Sequence, residues 1–284
     1  MKIIRKINTL RRLIKKVKQD KKTIGFVPTM GALHEGHLKL IQQARKENDF
    51  VVVSIFVNPT QFGPKEDFKK YPRNLKQDAF LCRKEGVDVI FYPDIKQMYP
   101  EGFKTYVKVN DLSNLLCGRF RPGHFRGVTT VVTKLFNIVN PDLAYFGQKD
   151  AQQAIIIKRM VLDLNIPIKI KVIPIVRDKD GLALSSRNVY LNPQERKDAV
   201  ILYQSLRLAK KMVKAGILET KKIIKKIKQL IHTKKTARIQ YISIVDLENL
   251  KPISRIKDKG LLAMAVYIGD TRLIDNTILK NPKA

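Results

Sequence analysis

Cysteine is scarce: Cys82 and Cys117 are the only two in 284 residues. Two thiols so far apart form neither a disulfide framework nor a zinc-ligand spacing, and the expected home is a reducing cytoplasm. Long apolar runs are missing too. No stretch approaches the roughly 18 consecutive apolar residues that cross a bilayer, so no membrane partner is expected. The opening Met1-Lys2-Ile3-Ile4-Arg5-Lys6 lacks the apolar core and small-residue cleavage site of a secretory signal. There is no internal repeat and no low-complexity linker. Acidic residues are few: 25 Asp and Glu stand against 56 Lys and Arg, a formal net charge of +31.

Such an excess invites a nucleic-acid partner. Its distribution argues against a specific one. Lysines are scattered over helices, loops and strands, with no Arg-rich arm and no aromatic-interleaved stripe. The densest cluster, Lys221-Lys222-Ile223-Ile224-Lys225-Lys226-Ile227-Lys228, alternates pairs of Lys and Ile. That is an amphipathic helix with lysine on its solvated face. What is present otherwise is ordinary: 44% hydrophobic and 29% charged residues, which excludes a disordered or collagen-like chain. The length suggests two domains at ~150 residues each.

Ile7, Leu10, Ile14 and Val17 fall at helical spacing. Thr23-Ile24-Gly25-Phe26-Val27 reads as a buried strand stopped by Pro28, and residues 36–47 as a helix. Phe50–Val57 is a strand without alternation, as expected where helices cover both faces. This is a βαβ unit, with a right-handed crossover the default. The alternation continues: helix 74–85, strand 87–91, a helix carrying Val128, Val131, Val132, Leu135, Phe136 and Val139, strand 143–146, helix 150–163 and strand 168–176. Residues 1–176 thus read as a doubly wound, parallel-sheet, Rossmann-like α/β domain that binds ligands at the carboxyl ends of its strands. The charged Arg177-Asp178-Lys179-Asp180-Gly181 reads as a hinge. Beyond it, helices at 193–215 and 219–231 and strands near 239–246 and 261–268 make 177–284 a smaller α+β domain, expected to act as a lid.

The loop after the first of these strands holds half of the four histidines: Pro28-Thr29-Met30-Gly31-Ala32-Leu33-His34-Glu35-Gly36-His37. Residues three apart share a helix face, so both imidazoles can reach one place. Gly36 is expected to admit a ligand to the backbone, and the helix N-terminus to offer unpaired N–H groups to phosphate. His-x-Gly-His holds the α-phosphate in other nucleotide-binding chains that transfer adenylyl or cytidylyl groups. The spacing is not that of a zincin, and no third metal ligand is visible. Gln61, after the Phe50–Val57 strand, can present an amide to a polar substrate. In Phe146-Gly147-Gln148-Lys149-Asp150, Lys149 offers a point charge for phosphate. Asp150 can cap a helix or accept from a ribose hydroxyl. Leu184-Ser185-Ser186-Arg187-Asn188 puts two hydroxyls and a guanidinium where triphosphate oxygens could be held, the second jaw of a nucleotide clamp.

Together these stretches resemble the pantoate–β-alanine ligase family. So do Phe56-Val57-Asn58-Pro59-Thr60-Gln61-Phe62, Tyr71-Pro72-Arg73, Gly123-His124-Phe125-Arg126-Gly127-Val128 and Gln152-Gln153. The resemblance implies a cytoplasmic homodimer that condenses pantoate with β-alanine. It would use ATP and Mg²⁺, pass through a pantoyl-adenylate, and release AMP and diphosphate. It implies that Met30, Gly31, Ala32, Leu33, His34, Glu35, Gly36 and His37 cradle ATP, with His37 the proton donor. Gly147, Gln148, Lys149 and Asp150 would also bind ATP, as would Leu184, Ser185, Ser186 and Arg187 with the backbone at Val176. Gln61 and Gln153 would hold pantoate, with Gln61 also beside β-alanine. Catalysis is expected from His34, His37 and Lys149, with Asp78 the acidic side chain near Mg²⁺. Leu184 stands where the family often has Met, and Gln148 at a variable position. A nucleotidyltransferase making a dinucleotide cofactor would share residues 34–37 but leave Gln61 and Gln153 without a role. A class I aminoacyl-tRNA synthetase fragment would need a Lys-rich loop at 184–187 and room for an anticodon domain. A non-enzymatic nucleic-acid-binding protein would rest on charge alone.

Overall fold

The computed structural model describes residues 1–64 and 66–284. The chain forms two compact units: residues 1–114, 118–147 and 153–174, and residues 115–117, 148–152 and 175–284.

In chain order the first unit carries β1 (Lys2–Ile4), α1 (Ile7–Gln19), β2 (Ile24–Thr29), α2 (Glu35–Glu47) and β3 (Phe50–Ile55). Then come α3 (Leu75–Lys84), β4 (Val89–Phe91), α4 (Ile95–Met98), α5 (Cys117–Phe120), α6 (His124–Val139), β5 (Leu143–Gly147), α7 (Ala151–Asp163) and β6 (Lys169–Ile173). Residue 117 of α5 and residues 151–152 of α7 group with the second unit. The described strands form one parallel sheet in the order β1-β4-β3-β2-β5-β6. Successive strand residues face opposite sides of a sheet. Val27 packs with Leu38, Ile41 and Ala44 of α2, while Phe26 meets Phe136 of α6 edge-on at 6.3 Å. The sheet is therefore covered on both sides, which is why β3 runs Val51-Val52-Val53 with no exposed position among them.

The structure differs from the sequence reading in three places here. β1 is an edge strand only three residues long, too short for a periodicity to show. Pro28 does not stop β2 but lies inside it, in the stretch paired with β3 and beyond the Gly25 and Phe26 positions that pair with β5. A proline there removes no bond that β5 needs. β6 ends at Ile173, because Pro174 follows.

The second unit carries α8 (Pro193–Ala199), α9 (Ile201–Lys214), α10 (Thr220–Ile231), β7 (Ala237–Val245), β8 (Lys259–Ile268) and β9 (Thr271–Lys280). The three strands form an antiparallel sheet in chain order. The single helix expected over 193–215 is split at Val200. The Lys/Ile alternation of α10 does what its period implies: Ile223, Ile227 and Ile231 are fully buried while Lys221, Lys222, Lys225, Lys226 and Lys228 are exposed. Ile227→Ala is expected to destabilise this unit by ~2–5 kcal/mol through cavity formation, and its neighbour Lys226→Ala by no more than about 0.5 kcal/mol. Urea unfolding of the two variants checks the contrast.

β9 has no counterpart in the sequence reading. Asp275 and Asn276 sit in its middle and break the apolar alternation, yet both are buried. The readable signal was Gly269-Asp270, a two-residue hairpin turn that closes on the Ile268–Thr271 pair, with Gly269 at φ +54°.

Candidate active site

β2 and β5 are neighbours, and the strand order departs from β2 in both directions. Their carboxyl ends mark the switch point where this class of sheet binds ligands. The loop that leaves β2 there is built around a buried carboxylate. Gly31 at φ +83° and Ala32 at φ +51° adopt the left-handed conformation in succession. That turns consecutive N–H groups the same way and makes a small anion-binding concavity. The anion is the chain's own Asp78 on α3, 2% exposed: Ala32 N–H donates to its Oδ2 at 3.0 Å and Leu33 N–H to its Oδ1 at 2.8 Å. A side chain on Gly31 would lie 2.9 Å from Oδ2, so only glycine lets the loop close this tightly. Burial pushes the Asp78 carboxyl above the usual carboxylate range, against the two N–H bonds that pull it down.

His34 and His37 are interlocked. His34 caps α2: its Nδ1 accepts from Gly36 N–H at 3.1 Å, while His37 Nδ1 accepts from His34 N–H at 3.3 Å. This is a capping box made by two histidines where Ser and Glu are the usual pair. The rings lie 4.2 Å apart, centroid to centroid. Because each Nδ1 accepts a hydrogen bond, each neutral ring carries its proton on Nε2. Both histidines are therefore poised as Nε2–H donors, and protonating Nδ1 would break the cap.

Most of the N–H groups expected to meet phosphate are already committed: Ala32 and Leu33 serve Asp78, His34 and Gly36 serve the imidazoles, and His37 N–H donates to His34 O at 2.7 Å. Gly36 makes room for the His34 ring, since a Cβ there would sit 2.8 Å from His34 Cε1. Asp78 has both oxygens committed to the loop and so shapes it; among the described residues no cluster of three or more His, Cys, Asp or Glu side chains could hold a metal.

Gln61 ends a short 3₁₀ turn, Pro59–Gln61, capped by Asn58. Asn58 Nδ2 donates to Gln61 Oε1 at 3.1 Å, and Gln61 Nε2 lies 3.0 Å from Met30 Sδ. The turn is seated on α6 through Gly127, where a Cβ would meet Thr60 O at 2.3 Å. His124 Nδ1 and an Arg121 nitrogen approach Gln61 O at 2.7 and 3.3 Å. The Gly123–Val128 stretch thus supports Gln61, and Asn58 and Arg121 are the contributors that sequence reasoning missed. Arg73 wraps its own loop, donating to Phe68 O at 2.8 Å and Tyr71 O at 3.0 Å. Met30, Gly31, Asp78 and Arg73 also line a cavity of about 500 Å³ in this unit. Gln153 is half-buried on α7.

Behind the loop, Cys82 is fully buried on α3, and burial together with Asp78 pushes its thiol up to about 12. A thiol held protonated is inert. Iodoacetamide at pH 8 is expected to leave Cys82 unmodified in the folded protein and to modify it in urea, as peptide mass spectrometry will show.

In the second unit, Gln148–Asp150 form a 3₁₀ turn in which Lys149 pairs with Asp150 at 3.6 Å. Asn276 Nδ2 donates to Gln148 O and to Lys149 O, each at 2.9 Å. The stretch read as a hinge is a closed hairpin: Leu184 N–H donates to Val176 O at 3.0 Å, Arg177 bridges to Ala183, and Arg196 pairs with both Asp178 and Asp180. Gly181 turns it at φ +97°. The hairpin delivers Ser185, whose Oγ accepts from Arg187 N–H at 3.3 Å and starts the turn Ser186–Tyr190. Met30–His37, Gln61, Gly147 and Gln153 belong to the first unit; Gln148–Asp150, Val176 and Leu184–Arg187 belong to the second.

A family model described as Pantoate-beta-alanine ligase matches residues 2–278. The chain belongs to the pantoate–β-alanine ligase family. A pantothenate synthetase from Acetivibrio thermocellus is 55% identical over 280 residues, 99% of this chain and 100% of that one. One from Caldicellulosiruptor saccharolyticus is 52% identical over the same share of each. The crystal structure of pantothenate synthetase from Thermus thermophilus superposes with a TM-score of 0.93 at 44% identity, covering 98% of this chain and 99% of that one. The Francisella tularensis pantoate–β-alanine ligase, solved in complex with β-γ ATP and β-alanine, gives a TM-score of 0.81 at 39% identity over 98% and 97%. As a pantoate–β-alanine ligase, the chain is an enzyme that forms pantothenate. No helix among the described residues is long and apolar enough to cross a membrane.

Proposed function

We propose that this ligase joins pantoate to β-alanine in two steps, with ATP as the activating co-substrate. The observation that carries this reading is the His34–His37 capping box, which holds two Nε2–H donors side by side. The ATP and β-alanine in the Francisella complex support the same co-substrates here. A pantoate carboxylate oxygen attacks the α-phosphorus, and the bond from phosphorus to the oxygen of departing diphosphate breaks. The β-alanine amine then attacks the acyl carbon, the C–O bond to AMP breaks, and the amine sheds a proton.

Carboxylate and triphosphate repel, so the first step needs donors and positive charge where negative charge grows. His34 and His37 supply Nε2–H hydrogen bonds to an α-phosphate oxygen, and it is as a hydrogen-bond donor that keeps its proton that His37 would fill the donor role. Lys149 and Arg187 supply the positive charge. The remaining ATP contacts come from residues 30–33, 35, 36, 147, 148, 150, 176 and 184–186. Gln61 and Gln153 hold pantoate, and Gln61 also borders β-alanine. Asp78 is not suited to be a direct metal ligand, so Mg²⁺ enters with ATP as part of the substrate.

The test is to incubate purified protein with ATP, Mg²⁺, pantoate and β-alanine, leave out each in turn, and follow AMP. Full AMP release only in the complete mixture is expected; ADP release, or AMP release without pantoate, would overturn the reading. The family also implies a homodimer. Light scattering should then report twice the 32.7 kDa chain mass.

A further inference from the structure

Asp275 and Asn276 are adjacent on β9, 2% and 4% exposed. Consecutive strand residues point to opposite sides, and these two side chains serve different segments. Both hydrogens of the Asn276 amide go to consecutive carbonyls, Gln148 O and Lys149 O. Two consecutive carbonyls held by one amide fix the two peptide planes that flank Lys149, and with them the direction in which its side chain leaves the backbone. Asp275 takes Arg177 by both oxygens, at 2.6 and 2.9 Å. Its Oδ1 also accepts from Asn276 N–H at 2.8 Å. Arg177 in turn donates to Gly181 O at 3.0 Å and stacks 4.7 Å above the Tyr203 ring. The guanidinium therefore ties the turn of the hairpin that leads into Ser185–Arg187 to β9.

A buried ion pair is often no more stabilising than well-packed apolar residues of the same volume. Stability alone is thus a weak reason for Asp-Asn in the middle of a strand. What the pair does provide is a common origin for two loops that are far apart in sequence. We propose that Asp275 and Asn276 are positioning residues that fix the Gln148–Lys149 backbone and the Arg177 hairpin, and through them the phosphate-binding side chains Lys149 and Arg187. This rests on the reading that those two side chains meet ATP.

The test is steady-state kinetics of Asn276→Ala, Lys149→Ala and the double variant, with melting temperature as the control for folding. Asn276→Ala should raise the KM for ATP and lower kcat, each about tenfold, because a displacement near 1 Å is costly to a reacting array. The KM for pantoate should move less than about twofold. In the Lys149→Ala background the same change should cost less than about twofold, since coupled residues are not additive. A role in stability alone would lower the melting temperature and the active fraction while leaving the KM for ATP unchanged, and that result would overturn the proposal. So would a full tenfold loss on top of Lys149→Ala. If Lys149→Ala alone is harmless, the ATP-site reading itself fails and takes this inference with it. Should Asn276→Ala not fold, the isosteric Asp275→Asn carries the test: losing the charged fork to Arg177 should raise the KM for ATP about threefold, and a wild-type KM would overturn the proposal.

Discussion

Lys149→Ala is expected to lower kcat/KM roughly 10²–10³-fold while the protein stays folded. The side chain makes one described ion pair, with Asp150 at 3.6 Å, and Asp150 is 47% exposed. Pairs of that kind contribute about 0–1 kcal/mol, so the melting temperature should hardly move. A loss of rate without a loss of stability is the signature of charge aimed at a substrate. Lys149→Arg keeps the charge but spreads it over a planar fork, and is expected to recover only part of the rate. Turnover near wild type in the alanine variant would remove Lys149 from the chemistry.

His37→Ala should show two separable losses. One is the reciprocal cap: without His37 Nδ1 the His34 N–H at the head of α2 loses its acceptor, at a cost of about 1 kcal/mol. The other is the Nε2–H donor, worth roughly 10²–10³ in rate. His37→Gln separates them. Glutamine at this position of a helix accepts the same backbone N–H, so stability should return to within a few tenths of a kcal/mol of wild type, while the rate stays low. Denaturant unfolding and turnover of the three proteins decide it. If glutamine restores the rate along with the stability, His37 is a cap and not a donor.

The architecture was legible because each of its signals is local. The unbroken Val51–Val53 run, the helical spacing of Val128 to Val139 and the Lys/Ile pairs of 221–228 each report their own surroundings. The His34–His37 spacing was legible as a candidate site, and the chemistry proposed for it came from resemblance to a family. Its electrostatic character was not. Which backbone N–H groups remain for a ligand depends on a carboxylate more than 40 positions away, Asp78, and on ring tautomers that no sequence shows. Read alone, the two histidines are two imidazoles aimed at one place; in place, the backbone N–H groups at their Nδ1 atoms make Nε2 the donor side of each ring. Asp275 and Asn276 were illegible for a related reason. Burial partners for a strand's polar residues come from loops distant in sequence, so their alternation looks like a broken strand. The charged 177–181 stretch misled in the opposite direction, since its ion pairs to Arg196 and Asp275 turn apparent linker composition into a closed hairpin.

Whether the pantoate carboxylate itself attacks the α-phosphorus is decided by one isotope experiment. Pantoate carrying ¹⁸O in its carboxylate is turned over with ATP and β-alanine, and the products are weighed by mass spectrometry. Each AMP should carry one ¹⁸O from pantoate, the oxygen left on phosphorus when the amide forms. Unlabelled AMP, or label in inorganic phosphate, would contradict that attack.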